Sequence, residues 1–570
     1  MKNEECRMQK TACNTHQGAV ANRKSQIPPP PVWLLAALLV LVTIATFWPA
    51  THCEFVNLDD NLHVTANVQV QKGLTLENIK WGLLNPVNCL WHPLTVWSHM
   101  LDCQLFGLKP WGHHLTSVLL HAVNTALVFL LLRGLTGAVW RSLLVAALFG
   151  WHPLRVESVA FVAERKDVLS GFFGLLALIA YVRYAQRRMQ NAECRMKNEE
   201  ATDTQHAPRN TFHASRFTFH PSLLLEKLPF FFLAAVMGVV TFLVQKSAGV
   251  LAVGESLSLG VRSGNAIVSY GRYLGKLVWP TGLSVCYVHP GHWPLGKVLL
   301  AAGLILGISV LGWVQRRRHP WLLMGWLWYC GTLVPVSQLV QTGAHPMADR
   351  YTYLPSLGVL ILAVWGACEL MQGKAEIRNP KAEGNPKGGP AGLISGFGLR
   401  ISCVAGGAVI VLCLPLTRYQ IGYWINSEAL LRHALEVTAD NYVAHKNLGI
   451  ALFEKGRLDE ATIQFQEAVR LRPDIAIAYY HLGIAFYQQG RVAEAIRQFQ
   501  QATRLKPNYT MAYNNLGVAL ARSGQTEEAI RQFQEALRLQ PDNAETRKNL
   551  DLVIATKVRS ALPPASATNR

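Results

Sequence analysis

Long apolar runs separated by basic connections fill residues 32–416, and an amphipathic pattern with a 34-residue period fills most of the remainder. A membrane-crossing helix needs roughly 20 apolar residues, fewer where polar cavities help. On that criterion nine spans fall near 33–50, 114–133, 139–153, 167–184, 229–244, 297–314, 321–340, 355–371 and 399–416. The first run, Val32 to Ala50, has no small-residue cleavage site and reads as a retained helix, not a removed signal. The stretch 265–281 carries Arg272 and Lys276, which suits an outer interfacial helix better than a full span.

The basic connections set the sides. Arg23 and Lys24 precede the first span, and Arg133 and Arg141 lie between the second and third. Arg183, Arg187, Arg188, Arg195 and Lys197 follow the fourth, Arg316, Arg317 and Arg318 the sixth, and Lys374, Arg378, Lys381 and Lys387 the eighth. With the N-terminus in the cytoplasm, all five clusters fall on the cytoplasmic side. The C-terminal repeats then lie outside, in a periplasm or an organelle lumen, with a bacterial inner membrane preferred. The octapeptide MKNEECRM reappears permuted as ECRMKNEE at 193–200, and 374–390 is similarly polar and rich in Pro and Gly. The expected organisation is therefore a disordered N-terminus (1–31) and a membrane domain (32–416) with disordered cytoplasmic inserts at 185–226 and 372–398. A repeat domain (417–558) and a tail (559–570) follow.

Leu448-Gly449, Leu482-Gly483 and Leu516-Gly517 recur at the 34-residue period, as do Ala461, Ala495 and Ala529. Phe465, Phe499 and Phe533 follow suit, then Ala468, Ala502 and Ala536, and last Pro473, Pro507 and Pro541. Gly and Ala let two helices approach, Phe fills the gap, and Pro ends the second helix. This is a tetratricopeptide array with repeats near 442–475, 476–509 and 510–543. Such arrays bind extended peptides along a concave face. Lys446, Tyr480 and Asn514 are equivalent positions on the first helices and are expected to line that groove. The fold class is all-α: a polytopic helical membrane domain followed by a helical solenoid.

Composition changes this picture little. Half of the 570 residues are hydrophobic and 16% are charged, low for a soluble protein. The formal charge of +19 sits largely in loops beside spans, so it reports topology and does not call for nucleic acid as a partner. Eleven cysteines form no Cys-x-x-Cys pair, which excludes the usual zinc and thioredoxin-like signatures.

The chemistry-bearing residues gather in the loops on the outer side. Asp59 and Asp60 follow the first span, as a helix cap or as a carboxylate pair able to take a proton from a hydroxyl. Trp91-His92-Pro93 and Trp151-His152-Pro153 repeat one tripeptide. Arg155, Glu157, Glu164, Arg165, Lys166 and Asp167 follow, and His345-Pro346-Met347-Ala348-Asp349-Arg350-Tyr351 lies at the same level. Ionisable groups at such depth are functional candidates. Arg155, Arg165 and Arg350 have the chemistry to clamp a phosphate; alternatively Arg155–Glu157, Arg165–Asp167 and Asp349–Arg350 neutralise one another. The histidines show no metal-ligand spacing, so no metal set is expected.

The order Asp-Asp loop, WHPLTVWSHMLD, HAVN, WHPLRVESVAFVAERKD, MADRYTYLPSLG and a C-terminal tetratricopeptide array resembles the TMTC family and its bacterial relatives. That family resembles protein O-mannosyltransferases of the GT-C architecture. The resemblance implies a polyprenyl-phosphate sugar as donor, mannose foremost, with metal dependence left open, and a Ser or Thr hydroxyl of an acceptor polypeptide gathered by the repeats. It implies Asp59 or Asp60 as the base of an inverting transfer. Donor phosphate then falls to Arg165, Arg350, Arg155, His92 and His152, with Glu157, Asp167 and Asp349 as supporting acids. Relatives carry an apolar hairpin with a lysine-containing motif after the fourth span. Here RRMQNAECRMKNEEATDTQHAPRNTFHASRF stands in its place and cannot span. The competing reading is a non-catalytic membrane-anchored scaffold that uses the repeats to gather an envelope or secretion complex. A transporter fits less well, since no span carries central charges.

Overall fold

The computed structural model describes residues 30–202, 228–247, 258–339, 346–377 and 391–561. Residues 1–29 of the expected N-terminal segment, 203–226 and 378–390 of the two inserts, His345 and the tail from 562 lie outside the described residues. Among the described residues the architecture is all-α, without a β-strand.

Each of the nine apolar stretches falls on a helix, but the helices differ in length. The membrane half contains α1 (Val32–Phe47), α2 (Leu76–Leu84), α3 (Pro93–Phe106), α4 (Pro110–Thr136), α5 (Val139–Trp151) and α6 (Arg165–Thr202). It continues with α7 (Leu228–Ser247), α8 (Leu259–Val278), α9 (Leu295–Val314), α10 (Pro320–Leu333), α11 (Ser356–Ile377) and α12 (Ala391–Gly422). Among the described residues four helical stretches are long and apolar enough to cross a membrane: Val32–His52, Pro110–Thr136, Val162–Asn191 and Leu295–Val314. A fifth arises if Gly407–Gly422 and the helix after it, bent by 115°, count as one span. Val139–Trp151, Phe232–Ser247 and Ser356–Leu370 are apolar but shorter. The nine apolar stretches thus fall on helices, and among the described residues four of these, or five with the bent pair, have spanning length.

Two boundaries differ from the pattern. Helix α6 runs to Thr202, past Tyr184, into the insert expected to be disordered from 185. Arg, Gln, Met, Ala, Glu and Lys dominate that extension, and their intrinsic helix preference prolongs an existing helix without an apolar face. The second insert likewise ends early, because α12 already begins at Ala391.

Helix α4 is the spine of the membrane half, packed against α1, α5 and α6. Its polar residues are satisfied inside the bundle. Nδ1 of His121 lies 2.8 Å from the Tyr353 hydroxyl and Nε2 2.9 Å from the Gly150 carbonyl. Asn124 Nδ2 donates to Val168 O at 2.8 Å and to Tyr353 at 3.0 Å. The HAVN and DRYTY motifs therefore meet as one buried joint. Helices α10 and α11 cross backbone to backbone, where a Cβ on Gly358 would stand 2.1 Å from the Gly325 carbonyl oxygen.

The repeat half opens with α13 (Ser427–Val437), then the pairs α14 (Tyr442–Glu454) with α15 (Leu458–Leu471), α16 (Ala476–Gln488) with α17 (Val492–Leu505), and α18 (Thr510–Arg522) with α19 (Thr526–Leu539). Helix α20 (Ala544–Ala561) closes the array. A Cβ on Gly449 would lie 2.5 Å from the Phe465 ring, the close approach that the sequence pattern requires.

The solenoid does not hang free. Asn57 N–H donates to Ser427 Oγ at 2.8 Å, and its side chain donates to both oxygens of Glu454 at 2.6 Å. Glu54 N–H donates to Ile425 O at 2.9 Å. His433 Nε2 meets Leu283 O at 3.1 Å, and Asn441, which caps α14, donates to Cys286 O at 3.0 Å. The first repeat is thereby locked onto the loop that carries the Asp pair.

Candidate active site

Asp59 and Asp60 sit side by side and differ in every respect that matters to chemistry. Asp60 is fully buried, its Oδ2 accepting from Val56 N–H at 2.8 Å and its Oδ1 from Ala163 N–H at 2.7 Å. It pins the loop after α1 to the turn before α6. Burial pushes its carboxyl up to about 7, although the two N–H groups favour the ionised form. Asp59 is only half-buried, and its Oδ1 accepts from Asn88 Nδ2 at 3.0 Å. Asn88 and Cys89 hold left-handed backbone at φ 49° and 61°. Asn tolerates this; Cys pays roughly 1–2 kcal/mol, strain of the sort that gathers at working sites.

Charged groups gather around the neighbouring His63. Asp59, Glu164 and Lys166 all act on it electrostatically. Lys166 Nζ lies 2.5 Å from Glu164 Oε2, with its side chain 30% exposed. Arg350 Nε is 3.3 Å from the same Glu164 oxygen, its NH1 pairs with Glu157 Oε1, and its backbone N–H donates to Glu157 Oε2 at 2.9 Å. Burial raises the Glu157 carboxyl, against the pull of Arg350. From the repeat side Lys446 comes within electrostatic range of Asp59 and Cys286, and burial lowers its amine.

The pairings Arg155–Glu157, Arg165–Asp167 and Asp349–Arg350 are therefore not the ones formed, although Lys166 does pair with Glu164 two residues away. Arg165 is fully buried and pairs with Asp102 Oδ2 at 2.5 Å. It also donates to Ser98 Oγ at 3.0 Å, Ser117 Oγ at 3.3 Å and His113 O at 2.6 Å. Asp167 accepts from Ser158 Oγ at 3.0 Å. Asp349 lies 3.8 Å from Lys276 and accepts from Tyr287 at 2.7 Å and from Ser284 N–H at 3.1 Å. Arg155, also fully buried, donates to Thr352 O at 3.1 Å and Oγ1 at 3.2 Å, and its guanidinium lies over Phe149 and Tyr353. Two residues apart on a short helical turn most side chains diverge, so Glu157, Arg165 and Asp349 find charged partners in distant segments.

The histidines divide in the same way. His152 is spent on backbone, Nε2 on Leu277 O at 2.9 Å and Nδ1 on Leu154 N–H at 3.2 Å. His92 keeps both nitrogens without a hydrogen-bond partner and stacks edgewise on His63 at 5.2 Å. Burial depresses His92 to about 3 and His63 to about 4, so both are neutral near neutrality.

The expected groove positions part company as well. Tyr480 and Asn514 are nearly buried, 6% and 8% exposed, because the next repeat covers them. Asn515 donates to the Tyr480 hydroxyl at 3.2 Å and Asn549 to Asn514 Oδ1 at 3.1 Å. They form a ladder between repeats, and Lys446 alone of the three faces the site. Sequence reasoning missed His63, His99, Asp102, His113 and Lys276. A His-x-x-Asp spacing in 99–102 was the one available signal for a shared helix face.

The tetratricopeptide repeat family matches residues 426–474, 446–510 and 480–544. The chain is 36% identical over 140 residues to protein O-mannosyl-transferase Tmtc2 of Drosophila melanogaster, a stretch covering 23% of this chain and 15% of that protein. It is 23% identical over 541 residues to protein O-mannosyl-transferase TMTC1 of Homo sapiens, covering 76% of this chain and 55% of that protein. In both, less than two thirds of the relative is matched. The second match is longer than the repeats can supply and so reaches into the membrane half. Among solved structures, YrrB, a TPR protein described with an unusual peptide-binding site, is 26% identical over 24% of this chain and 70% of its own, with a TM-score of 0.22. Apolar helices of spanning length, the repeat array and the similarity to named TMTC proteins together support the TMTC family, whose named members are protein O-mannosyltransferases, as the family of this membrane protein.

Proposed function

We propose that this chain is an integral-membrane protein O-glycosyltransferase that moves a sugar, mannose foremost, from a polyprenyl-phosphate donor to a Ser or Thr hydroxyl on the outer side of the membrane. The observation that carries the reading is Asp59, a half-buried carboxylate within electrostatic range of His63 and Lys446 at the junction of membrane half and repeats. Asp60, with both oxygens bonded to backbone, serves as its structural neighbour.

In the proposed step an Asp59 oxygen takes the hydroxyl proton as the hydroxyl oxygen attacks the anomeric carbon. The new C–O bond forms as the bond from that carbon to the phosphate oxygen breaks. The electron pair leaves with the polyprenyl phosphate, and in-line displacement inverts the centre. Lys166 and Arg350 face the developing phosphate charge, an electrostatic role. Arg165 and Arg155 are fully buried, whereas Lys166 and Arg350, though paired with Glu164 and Glu157, keep side chains 30% and 13% exposed. The acceptor polypeptide arrives along the repeats past Lys446, at a high effective concentration.

The test is transfer of labelled mannose from polyprenyl phosphate to envelope protein in membranes. Asp59→Asn should cut transfer by about 100-fold or more, within the usual contribution of a general base, with an unchanged thermal midpoint. Wild-type transfer that survives Asp59→Asn removes Asp59 as the base. No transfer from folded wild type, beside an active relative, returns the chain to the scaffold reading.

A further inference from the structure

Below the candidate active site lies a second cluster that the transfer step does not use. His99 and Asp102 stand three residues apart on α3 and so share one face. His113, in the first turn of α4, meets them from across the intervening loop. One ligand atom from each of the three lies within 4.8 Å of the others, and all three side chains are buried, at 0%, 2% and 0% exposure.

Their ligand atoms face one another, Asp102 Oδ2 being shared with Arg165. His113 Nε2 lies 3.0 Å from the Gly107 carbonyl, which only an N–H can satisfy, so Nδ1 is left bare. That nitrogen is 3.6 Å from Asp102 Oδ2. Asp102 Oδ1 is occupied by the Thr116 hydroxyl at 2.8 Å, which turns Oδ2 toward the two imidazoles. Both nitrogens of His99 are buried without a hydrogen-bond partner. A polar group buried in that way costs roughly 1–3 kcal/mol unless something binds it. A histidine oriented by a carbonyl on its far nitrogen is the usual arrangement of a metal ligand.

We propose that His99, Asp102 and His113 form a zinc-binding site. Two imidazoles and one carboxylate suit Zn²⁺, and three protein ligands leave a fourth position for water or hydroxide. Arg165 sets the affinity. Its guanidinium shares Asp102 Oδ2 with the ion, so the two compete, and a bound hydroxide offsets part of the added charge. The contacts of Arg165 to Ser98, Ser117 and the His113 carbonyl hold it in place when the carboxylate turns to the metal. His63, 6.3 Å from His99 and itself against His92, connects this cluster to the rim where Asp59 stands. The ion would fasten α3 to α4 beneath the candidate active site, and the proposal stands whether or not that site transfers sugar.

The full chain, purified in detergent without a histidine tag, provides the test. Zinc should copurify at about one ion per chain, and cobalt added after chelation should give the intense visible bands of a low-coordinate site. Chelation should lower the thermal midpoint, and zinc should restore it. His99→Gln and His113→Gln should each weaken zinc binding at least tenfold, whereas His63→Gln should not. His99→Gln keeps a polar side chain of similar size, and the cobalt spectrum reads the site even if stability changes. Wild-type protein that neither retains zinc nor shifts its midpoint on zinc addition overturns the proposal, as does unchanged binding in the His99→Gln, His113→Gln double variant.

Discussion

Charge is handled in opposite ways in the two halves of this molecule. Around the candidate active site Glu157, Glu164, Asp102, Arg165 and Asp349 are 5% exposed or less, and apart from Lys166 with Glu164 their pairs join segments far apart in the chain. In the repeats most pairs are wet and many are local, such as Arg470 with Glu467 and Arg538 with Glu535, three residues apart on one helix, while Glu428 reaches Lys455 and Arg457. The repeats therefore draw their stability from the Gly–Phe and Ala packing that recurs every 34 residues, and their charges serve solubility. The membrane half relies on partners that must all be present together, because an unpaired charge there has no water to turn to.

The largest way to expose that contrast is to remove Arg350. Arg350→Met leaves Glu157 buried without its cation and Glu164 with Lys166 alone, and should cost about 3–5 kcal/mol, seen as a large fall in thermal midpoint in detergent. A loss too small to measure would mean that water reaches these carboxylates. Glycine contacts give a second, smaller comparison. Gly358→Ala drives a methyl group into the Gly325 carbonyl, backbone against backbone, and should cost about 3 kcal/mol. Gly449→Ala meets only the Phe465 ring, which can pivot, and gains about 1 kcal/mol of helix propensity, so its cost should be clearly less. Equal losses would put the repeat interface among the rigid ones.

Asp60 tests the same contrast through pH. Its folded-state value is raised to about 7 from an ordinary 3.8, so the folded chain holds a proton that the unfolded chain has lost. Its contribution to stability is complete below about pH 4 and declines as pH rises through 7. Asp60→Asn imitates the protonated group, so the deficit of the variant in thermal midpoint should shrink between pH 4 and pH 7.5. A deficit that grows over that range would show the carboxylate, held by Val56 and Ala163, to be the favoured form. Asp59→Asn, by contrast, should leave the midpoint alone at either pH.

The sequence disclosed what is local or repeated. Gly449, Phe465 and Pro473 repeat themselves, so each copy supports the reading of the others, and apolar runs locate the helices of the membrane half. The Asp59–Asp60 pair was visible as a pair, but the difference between them depends on Val56, Ala163 and Asn88, which only the fold brings up. Pairing was the least legible. Arg155 and Glu157 are adjacent in sequence, yet Glu157 meets Arg350 193 residues away. Tyr480 and Asn514 occupied the expected repeat positions, but the curvature of the array buries them against the next repeat. His99, Asp102 and His113 escaped notice because the third member belongs to another helix.

The smallest effect is expected where the repeats look most ionic. Arg470 donates to Glu467 at 2.7 Å, but the two side chains are 66% and 39% exposed. In water an attraction at that distance is offset by the entropy of fixing two long side chains, which leaves a few tenths of a kcal/mol. Alanine is the better helix former and returns part of even that. Arg470→Ala should therefore move the thermal midpoint by no more than about 1–2 °C, and less at high salt, where exposed pairs are screened. A shift of the size expected for Arg350→Met would mean that the outer face of the second repeat helix is covered by something. In that case the array would meet a partner on its convex side as well as along the face that carries Lys446.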